Sequence, residues 1–297
     1  MTNKYSLGWI PDYPDFRDYT EDTEEVKEIL KPSGLLLPTA GKKSPKSKPL
    51  PASVDLRPWC SPVEDQGRLG SCTAHAGVGI IEYYERKSFG RHIDASRLFL
   101  YKVTRNLMKM KGDTGAYLRT TIGAMVLFGV PPEEYWPYAD NLQDFDKEPP
   151  AFCYSFAQNY KTIKYYRHDP PSAAPEAILN RVKTYLATGH PAMFGFTVYS
   201  SIEQAKDSGQ IPFPSLRDRI EGGHAVTAVG YDDKMKIRNR FGGDETTGAL
   251  LIRNSWGKDW GEDGYGWLPY EYVLRGLAED FWSVLKKEWI DTGQFRI

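Results

Sequence analysis

Cysteine and histidine are scarce in this chain, with three and five among 297 residues. None stands in a Cys-x-x-Cys or His-x-x-x-His spacing, so neither a zinc site nor any other metal or cofactor is expected. An odd cysteine count leaves at least one thiol unpaired. Long apolar runs are missing as well. No stretch approaches the eighteen or so residues of a membrane span. The opening Met1-Thr2-Asn3-Lys4-Tyr5-Ser6-Leu7-Gly8-Trp9 holds no signal-peptide core, so no export address is expected and the compartment stays open. An excess of either charge is absent too: 38 Lys and Arg against 39 Asp and Glu leave a net charge of -1. That balance supplies no field to gather nucleic acid or an anionic membrane, and neither is expected as a partner.

What remains is the composition of an ordinary globular protein, 40% hydrophobic and 26% charged, with 19 Tyr and 8 Trp that predict extended aromatic packing. The length allows one large domain or two lobes sharing a cleft. Residues 1–50 read differently from the rest. They begin with an aromatic run, Trp9 to Tyr19, continue through a short charged helix near Thr23 to Leu30, and end in the tether Gly41-Lys42-Lys43-Ser44-Pro45-Lys46-Ser47-Lys48-Pro49. Residues 51–297 carry regular periodicity. Apolar residues at helical spacing predict helices over Cys72–Lys87, Ala95–Leu107, Tyr117–Phe128 and Pro175–Thr188. Strands are predicted over Pro191–Val198, His224–Tyr231, Ala249–Asn254, Tyr265–Leu268 and Phe281–Lys286, with an extended hairpin or loop between Asp232 and Gly248. The class is α+β.

Three short runs carry chemistry. In Gln66-Gly67-Arg68-Leu69-Gly70-Ser71-Cys72-Thr73-Ala74-His75-Ala76 a glycine-punctuated loop gives way to a helix and leaves a thiol at the junction. Unpaired backbone N–H groups and the positive end of the helix dipole favour the thiolate there, which is the reactive form. Gly222-Gly223-His224-Ala225-Val226 offers a base, and Arg253-Asn254-Ser255-Trp256-Gly257 an amide to orient it. His75, three residues beyond Cys72, is a second candidate base.

The loop before Cys72, the His224 strand and the run Asn254 to Tyr265 resemble the three blocks of papain-family cysteine proteases, in that family's order. Gly129 to Tyr138 is similar to a fourth, and the resemblance covers residues 51 to 285. It implies two lobes, a mostly helical one at about 60–170 and an antiparallel β-barrel-like one at about 171–290, with the active site in the cleft between them. It also implies roles: Cys72 as nucleophile, His224 as base, Asn254 to hold the imidazole, Gln66 as oxyanion donor. Trp256 would shield the His224–Asn254 bond, and Gly112, Asp113, Thr114, Gly115 and Gly223 would line the rim that pairs with an extended polypeptide substrate. Selectivity would rest on the pocket for the residue two before the scissile bond, whose floor the sequence does not identify. No loop with paired histidines suggests a carboxydipeptidase, so an endopeptidase is expected, as a monomer.

The chain departs from the family at two places. Leu69 stands where secreted members anchor a disulfide, which favours a fold independent of an oxidising compartment, while assigning Cys72 to catalysis leaves Cys60 and Cys153 as a candidate pair. The usual helical prosegment is replaced by the short arm, as in some bacterial members. Trp9, Tyr13 and Phe16 are then expected either to cross the cleft and restrain activity or to form a surface strap. Two alternative functions stay open: a non-catalytic binding module on the same scaffold, and acyl transfer to an amine.

Overall fold

The computed structural model describes residues 6–30, 49–141, 143–160 and 162–287. Small and apolar residues in Cys72-Thr73-Ala74-His75-Ala76-Gly77-Val78-Gly79-Ile80-Ile81 bury helix α2 (Cys72–Phe89) on all sides over its first turns. Gly77 and Gly79 cost helix propensity but make room for neighbours: an added Cβ would stand 2.9 Å from Met125 Sδ at the first and 2.9 Å from an Arg253 guanidinium nitrogen at the second. Two further helices, α3 (Arg97–Leu107) and α4 (Leu118–Leu127), complete the helical core around Val78, Leu100, Ile122 and Met125. The first of them starts at Ser96, whose Oγ accepts a bond from Phe99 N at 3.1 Å. Short α5 (Ala151–Ala157) adds Cys153 and Ala157 to this core, α1 (Glu24–Leu30) lies outside it, and α6 (Pro175–Ala187) and α7 (Tyr270–Leu274) accompany the sheet.

The strands are β1 (Ser53–Asp55), β2 (Thr162–Arg167), β3 (Ala192–Tyr199), β4 (Ile220–Arg238), β5 (Glu245–Arg253), β6 (Tyr265–Pro269) and β7 (Ala278–Lys287). All pairings are antiparallel, in the order β2-β7-β3-β4-β5-β6, with β1 added on β4. The stretch Asp232 to Gly248 is the far end of the β4–β5 hairpin, where pairing resumes at Lys236↔Thr247 after a bulge. The expected barrel-like closure is corrected. β2 and β6 are two separate edges, and each is covered by main chain instead of by the other. Gly209 and Ile211 bond Trp267 on β6, while Arg167 N on β2 donates to Tyr19 O at 2.7 Å. Covered edges remove the need for a ring.

Two large cores result, one within the sheet and its helices around Phe194, Phe281 and Leu250, the other among the helices, with a small third cluster of Val26, Tyr166 and Tyr185. Met193, Ala225 and Trp282 of the sheet and Trp9 of the arm belong to the helical core, so sheet and helices meet along β3, β4 and α2. The candidate disulfide does not form. Cys60 and Cys153 are free and buried, their thiols donating to Leu56 O and Tyr135 O. Of the three arm aromatics expected to pack, only Trp9 is buried; Tyr13 and Phe16 are exposed, with Tyr13 leaning on the Tyr117 ring. The tether from Gly41 to Lys48 lies outside the described residues.

Candidate active site

Cys72 opens α2, and the backbone N–H groups of Ala225, Gly8, Thr73 and Cys72 itself reach its sulfur. Since Ala225 follows His224 on β4, the thiol lies against the strand that carries the imidazole. Asn254 stands just past the end of β5, which pairs with β4. Its Oδ1 accepts Ser255 N at 2.8 Å and lies 2.7 Å from His224 Nε2. An amide oxygen only accepts, and the Ser255 N–H fixes which end of the amide points here, so Nε2 carries the imidazole proton. Nδ1 is left deprotonated, buried and without a hydrogen-bond partner. The indole of Trp256 stacks on the imidazole, centroids 4.4 Å apart at 24°, and screens the Asn254 bond from water. His75 is turned elsewhere: its Nδ1 meets Ser71 O at 3.1 Å and its ring stands edge-on to Tyr138.

Gln66 comes to the same place through Ser255, whose Oγ donates to Gln66 Oε1 at 2.6 Å and whose carbonyl accepts Gln66 N at 2.9 Å. The side-chain amide is thereby aimed, and Gln66 Nε2 donates to Leu69 O at 2.7 Å and to Ser6 O at 3.1 Å. Ser6 belongs to the N-terminal arm. From there the arm runs extended through the cleft: Leu7 rests on Gly222, Trp9 N donates to Gly223 O at 3.0 Å, Ala116 N to Gly8 O at 2.7 Å, and Ile10 N to Ala116 O at 3.1 Å. Gly8 is obligatory at the crossing, since an added Cβ would stand 1.9 Å from Gly70 O.

The rim residues divide. Gly115, with φ 73°, lets the arm backbone approach, for a Cβ there would meet Gly8 O at 2.3 Å. Gly112, Asp113 and Thr114 shape the loop instead. Asp113 accepts Gly70 N at 2.9 Å and the Tyr101 hydroxyl at 2.5 Å, and Gly112 O accepts Arg105 at 2.6 Å. On this loop the residue that bonds the arm is Ala116, which sequence reasoning missed, while the expected Gly223 bonds it from the other side. The only signal for Ala116 was a place beside the glycine-rich run. Ser255 was missed as the group that orients Gln66, though its place after Asn254 pointed there.

Burial sets the protonation of the closed site. With the arm in place Cys72 and His224 are fully buried. Burial pushes the thiol up to about 11 against the pull of the surrounding N–H groups, and it pushes His224 down to about 4 against the bond from Asn254. In this arrangement burial thus opposes the thiolate that the helix terminus favours and holds both groups toward their neutral forms.

Residues 50–279 match the papain family cysteine protease profile. The chain is 36% identical to xylellain, a cysteine protease from Xylella fastidiosa, with a TM-score of 0.72 over 95% of this chain and 96% of that one. It is 35% identical over 226 residues to the peptidase C1-like protein L477 of Acanthamoeba polyphaga mimivirus, covering 74% of this chain and 68% of the relative. It is 31% identical over 228 residues to the cathepsin B-like CP3 of Giardia intestinalis, covering 72% and 68%. The chain belongs to the papain family of cysteine proteases.

Proposed function

We propose that this cysteine protease is an endopeptidase for extended polypeptide, working as a monomer through Cys72, His224, Asn254 and Gln66, and held in check by its own N-terminal arm. Residues 51–297 form the peptidase domain in this reading and residues 1–50 the restraining segment. One observation carries it: main chain in extended form already threads the groove, with a carbonyl on the Gln66 amide and Gly8 at the sulfur. A substrate would take the same rims, Gly115 and Ala116 on one side and Gly223 on the other.

The chemistry follows from those positions. Once the arm leaves, water returns to the pair, and the Cys72 proton passes to His224 Nδ1, the basic nitrogen. The thiolate forms a bond to the scissile carbonyl carbon, and the oxyanion is met by Gln66 Nε2 and the Cys72 N–H. Collapse breaks the C–N bond, His224 returns its proton to the amine, and a thioester remains. A water deprotonated by His224 then releases the acid and the thiol. Asn254 keeps Nε2 protonated and the ring in plane throughout.

The test is Cys72→Ala and His224→Ala on a fluorogenic peptide panel, with labelling by a thiol-directed epoxide. Both variants are expected to lose hydrolysis, and Cys72→Ala to lose the label; full turnover by either would refute the assignment. Binding without turnover once Gly8→Val has displaced the arm, or a product whose acyl group is joined through a new amide to an added amine, would instead support a binding module or acyl transfer.

A further inference from the structure

The run from Gly129 to Tyr138 returns to the active site at its last residue. The Tyr138 hydroxyl reaches the loop before Cys72 and meets two residues there, Gln66 O at 2.8 Å and Ser71 Oγ at 2.6 Å. A carbonyl oxygen only accepts, so the phenolic hydrogen goes to Gln66 O, and the Ser71 hydroxyl donates to the phenolic oxygen. Burial pushes the ionisation of this phenol well above its ordinary range, so the hydrogen stays in place.

The two residues are the ends of the loop that carries both oxyanion donors. Gln66 bears the side-chain amide, and Ser71 directly precedes the Cys72 N–H. Both are fully buried. Between them the chain runs out to solvent at Gly67, with φ 57°, and at Arg68 before it turns back. Other bonds tie single pieces of the loop to different neighbours. Ser255 grips Gln66, while Gly67 N donates to Asp65 at 2.8 Å, Arg68 N to Asp140 at 3.3 Å and Gly70 N to Asp113 at 2.9 Å. Within the loop Leu69 N reaches Gln66 O at 3.4 Å and Leu69 O takes the Gln66 amide at 2.7 Å. Among the described residues, Tyr138 is the side chain whose bonds join residue 66 to residue 71.

A staple works only if it is itself rigid. The Arg97 guanidinium of α3 lies over the Tyr138 ring, 5.7 Å from its centroid, and pairs with Glu64 and with Glu133 at 3.1 Å. Glu133 in turn accepts Tyr138 N. On another side the His75 ring stands edge-on at 5.1 Å and 79°, its Nδ1 lying 3.1 Å from Ser71 O and 3.3 Å from Ser71 Oγ. None of these partners belongs to the arm.

We propose that Tyr138 is a positioning residue for the oxyanion site, its hydroxyl fixing the distance between the Gln66 amide and the Cys72 N–H by bonding the residues at both ends of the loop. This rests on the oxyanion role given to Gln66 above. Both donors act on charge that develops in the transition state, so loosening them lowers kcat and leaves substrate binding alone. Tyr138 touches neither substrate nor thiol, and its effect passes through Gln66 and residue 71.

The experiment uses the full chain with Gly8→Val to open the groove, combined with Tyr138→Phe, Ser71→Ala, Gln66→Ala, or Tyr138→Phe and Gln66→Ala together. Three quantities are read: kcat and KM on a fluorogenic peptide, inhibition by a peptide aldehyde, and alkylation of Cys72 by iodoacetamide. The thiol adds across the aldehyde, sulfur to carbon and proton to oxygen, and that oxygen takes the oxyanion position, whereas alkylation has no such oxygen. Tyr138→Phe is expected to lower kcat and aldehyde affinity about tenfold each, with KM and alkylation within about twofold. Ser71→Ala is expected to cost about threefold and Gln66→Ala about a hundredfold. In the Gln66→Ala background the Tyr138 change should cost about threefold or less, because one of the two donors it aligns is gone. An unchanged kcat, a loss confined to KM, a parallel loss of alkylation, or a full tenfold loss in both backgrounds overturns the assignment. A second readout needs no turnover: the Gln66 side-chain amide resonances of the chain with its arm in place, identified by their loss in Gln66→Ala. Tyr138→Phe should shift them and speed their exchange severalfold, and unmoved signals overturn the proposal. If Gln66→Ala loses activity while Tyr138→Phe does not, the peptidase reading stands and the staple falls. If the amide signals respond but no variant or parent turns over peptide, the peptidase reading is the one that fails.

Discussion

The arm is held in two ways along one short stretch. Residues 6–10 are threaded: main chain runs between glycines, with hydrogen bonds to Ala116 and Gly223. Residues 12–20 are anchored by charge. Asp12 takes Arg119 N and Trp282 Nε1, both at 3.1 Å, and Asp18 makes a two-pronged pair with Arg119 at 2.5 and 2.6 Å. A threaded segment tolerates no added bulk but is indifferent to charge. An anchored one behaves the opposite way, and the two can be broken separately.

The largest effect is expected from adding bulk to the threaded part. The burial that pushes Cys72 up to about 11 leaves roughly a hundredth of the thiolate an ordinary cysteine holds at neutral pH. Gly8→Val should therefore raise the rate of epoxide labelling about a hundredfold or more, whereas an unchanged rate would mean that the arm does not cover the sulfur.

Next comes pH, acting on the anchor. Burial, then the neighbouring Asp280, raises Asp12 from an ordinary 3.8 to about 7, so the docked arm binds a proton that the released arm does not. Docking support from this group is full below about pH 4 and is lost as pH rises through about 7. Hydrogen-exchange protection of Gly8, Trp9 and Ile10, corrected for intrinsic rates, should fall about tenfold or more from pH 5 to pH 7.5. Asp12→Asn should flatten that slope.

A smaller change is expected from Asp18→Ala, which removes a partly buried pair and should increase exchange of the arm severalfold without altering the pH slope. Least of all is expected from Arg17→Ala. Its pair with Asp15 lies in solvent, and neither exchange nor the melting temperature should move measurably.

Sequence reasoning found the elements whose period is strong and whose partners are near. The helices from Cys72, Ala95, Tyr117 and Pro175 start and stop within a residue or two of α2, α3, α4 and α6. Cys72, His224, Asn254 and Gln66 could be picked out as candidates because their motifs are local, and the fold brings His224 to Asn254 and Gln66 to Ser255. β2 was not: Thr162-Ile163-Lys164-Tyr165-Tyr166-Arg167 lies in a mostly helical half, and the strand that pairs with it begins at Ala278. The open sheet was hidden for a related reason, since its edges are closed by Tyr19 and by the 209–211 loop, contacts that no periodicity encodes. Asp280 was illegible because it accepts the indole N–H of Trp9, 271 positions away.

Tyr13, Pro14 and Phe16 stand exposed within the anchored portion, between Asp12 and Asp18, Phe16 wholly bare. A cut there would free the plug while Tyr19 and Thr20 stayed clipped to the outer margin of β2. If the arm restrains the enzyme as proposed, opening the groove and baring the sheet to stray strands would thereby be uncoupled.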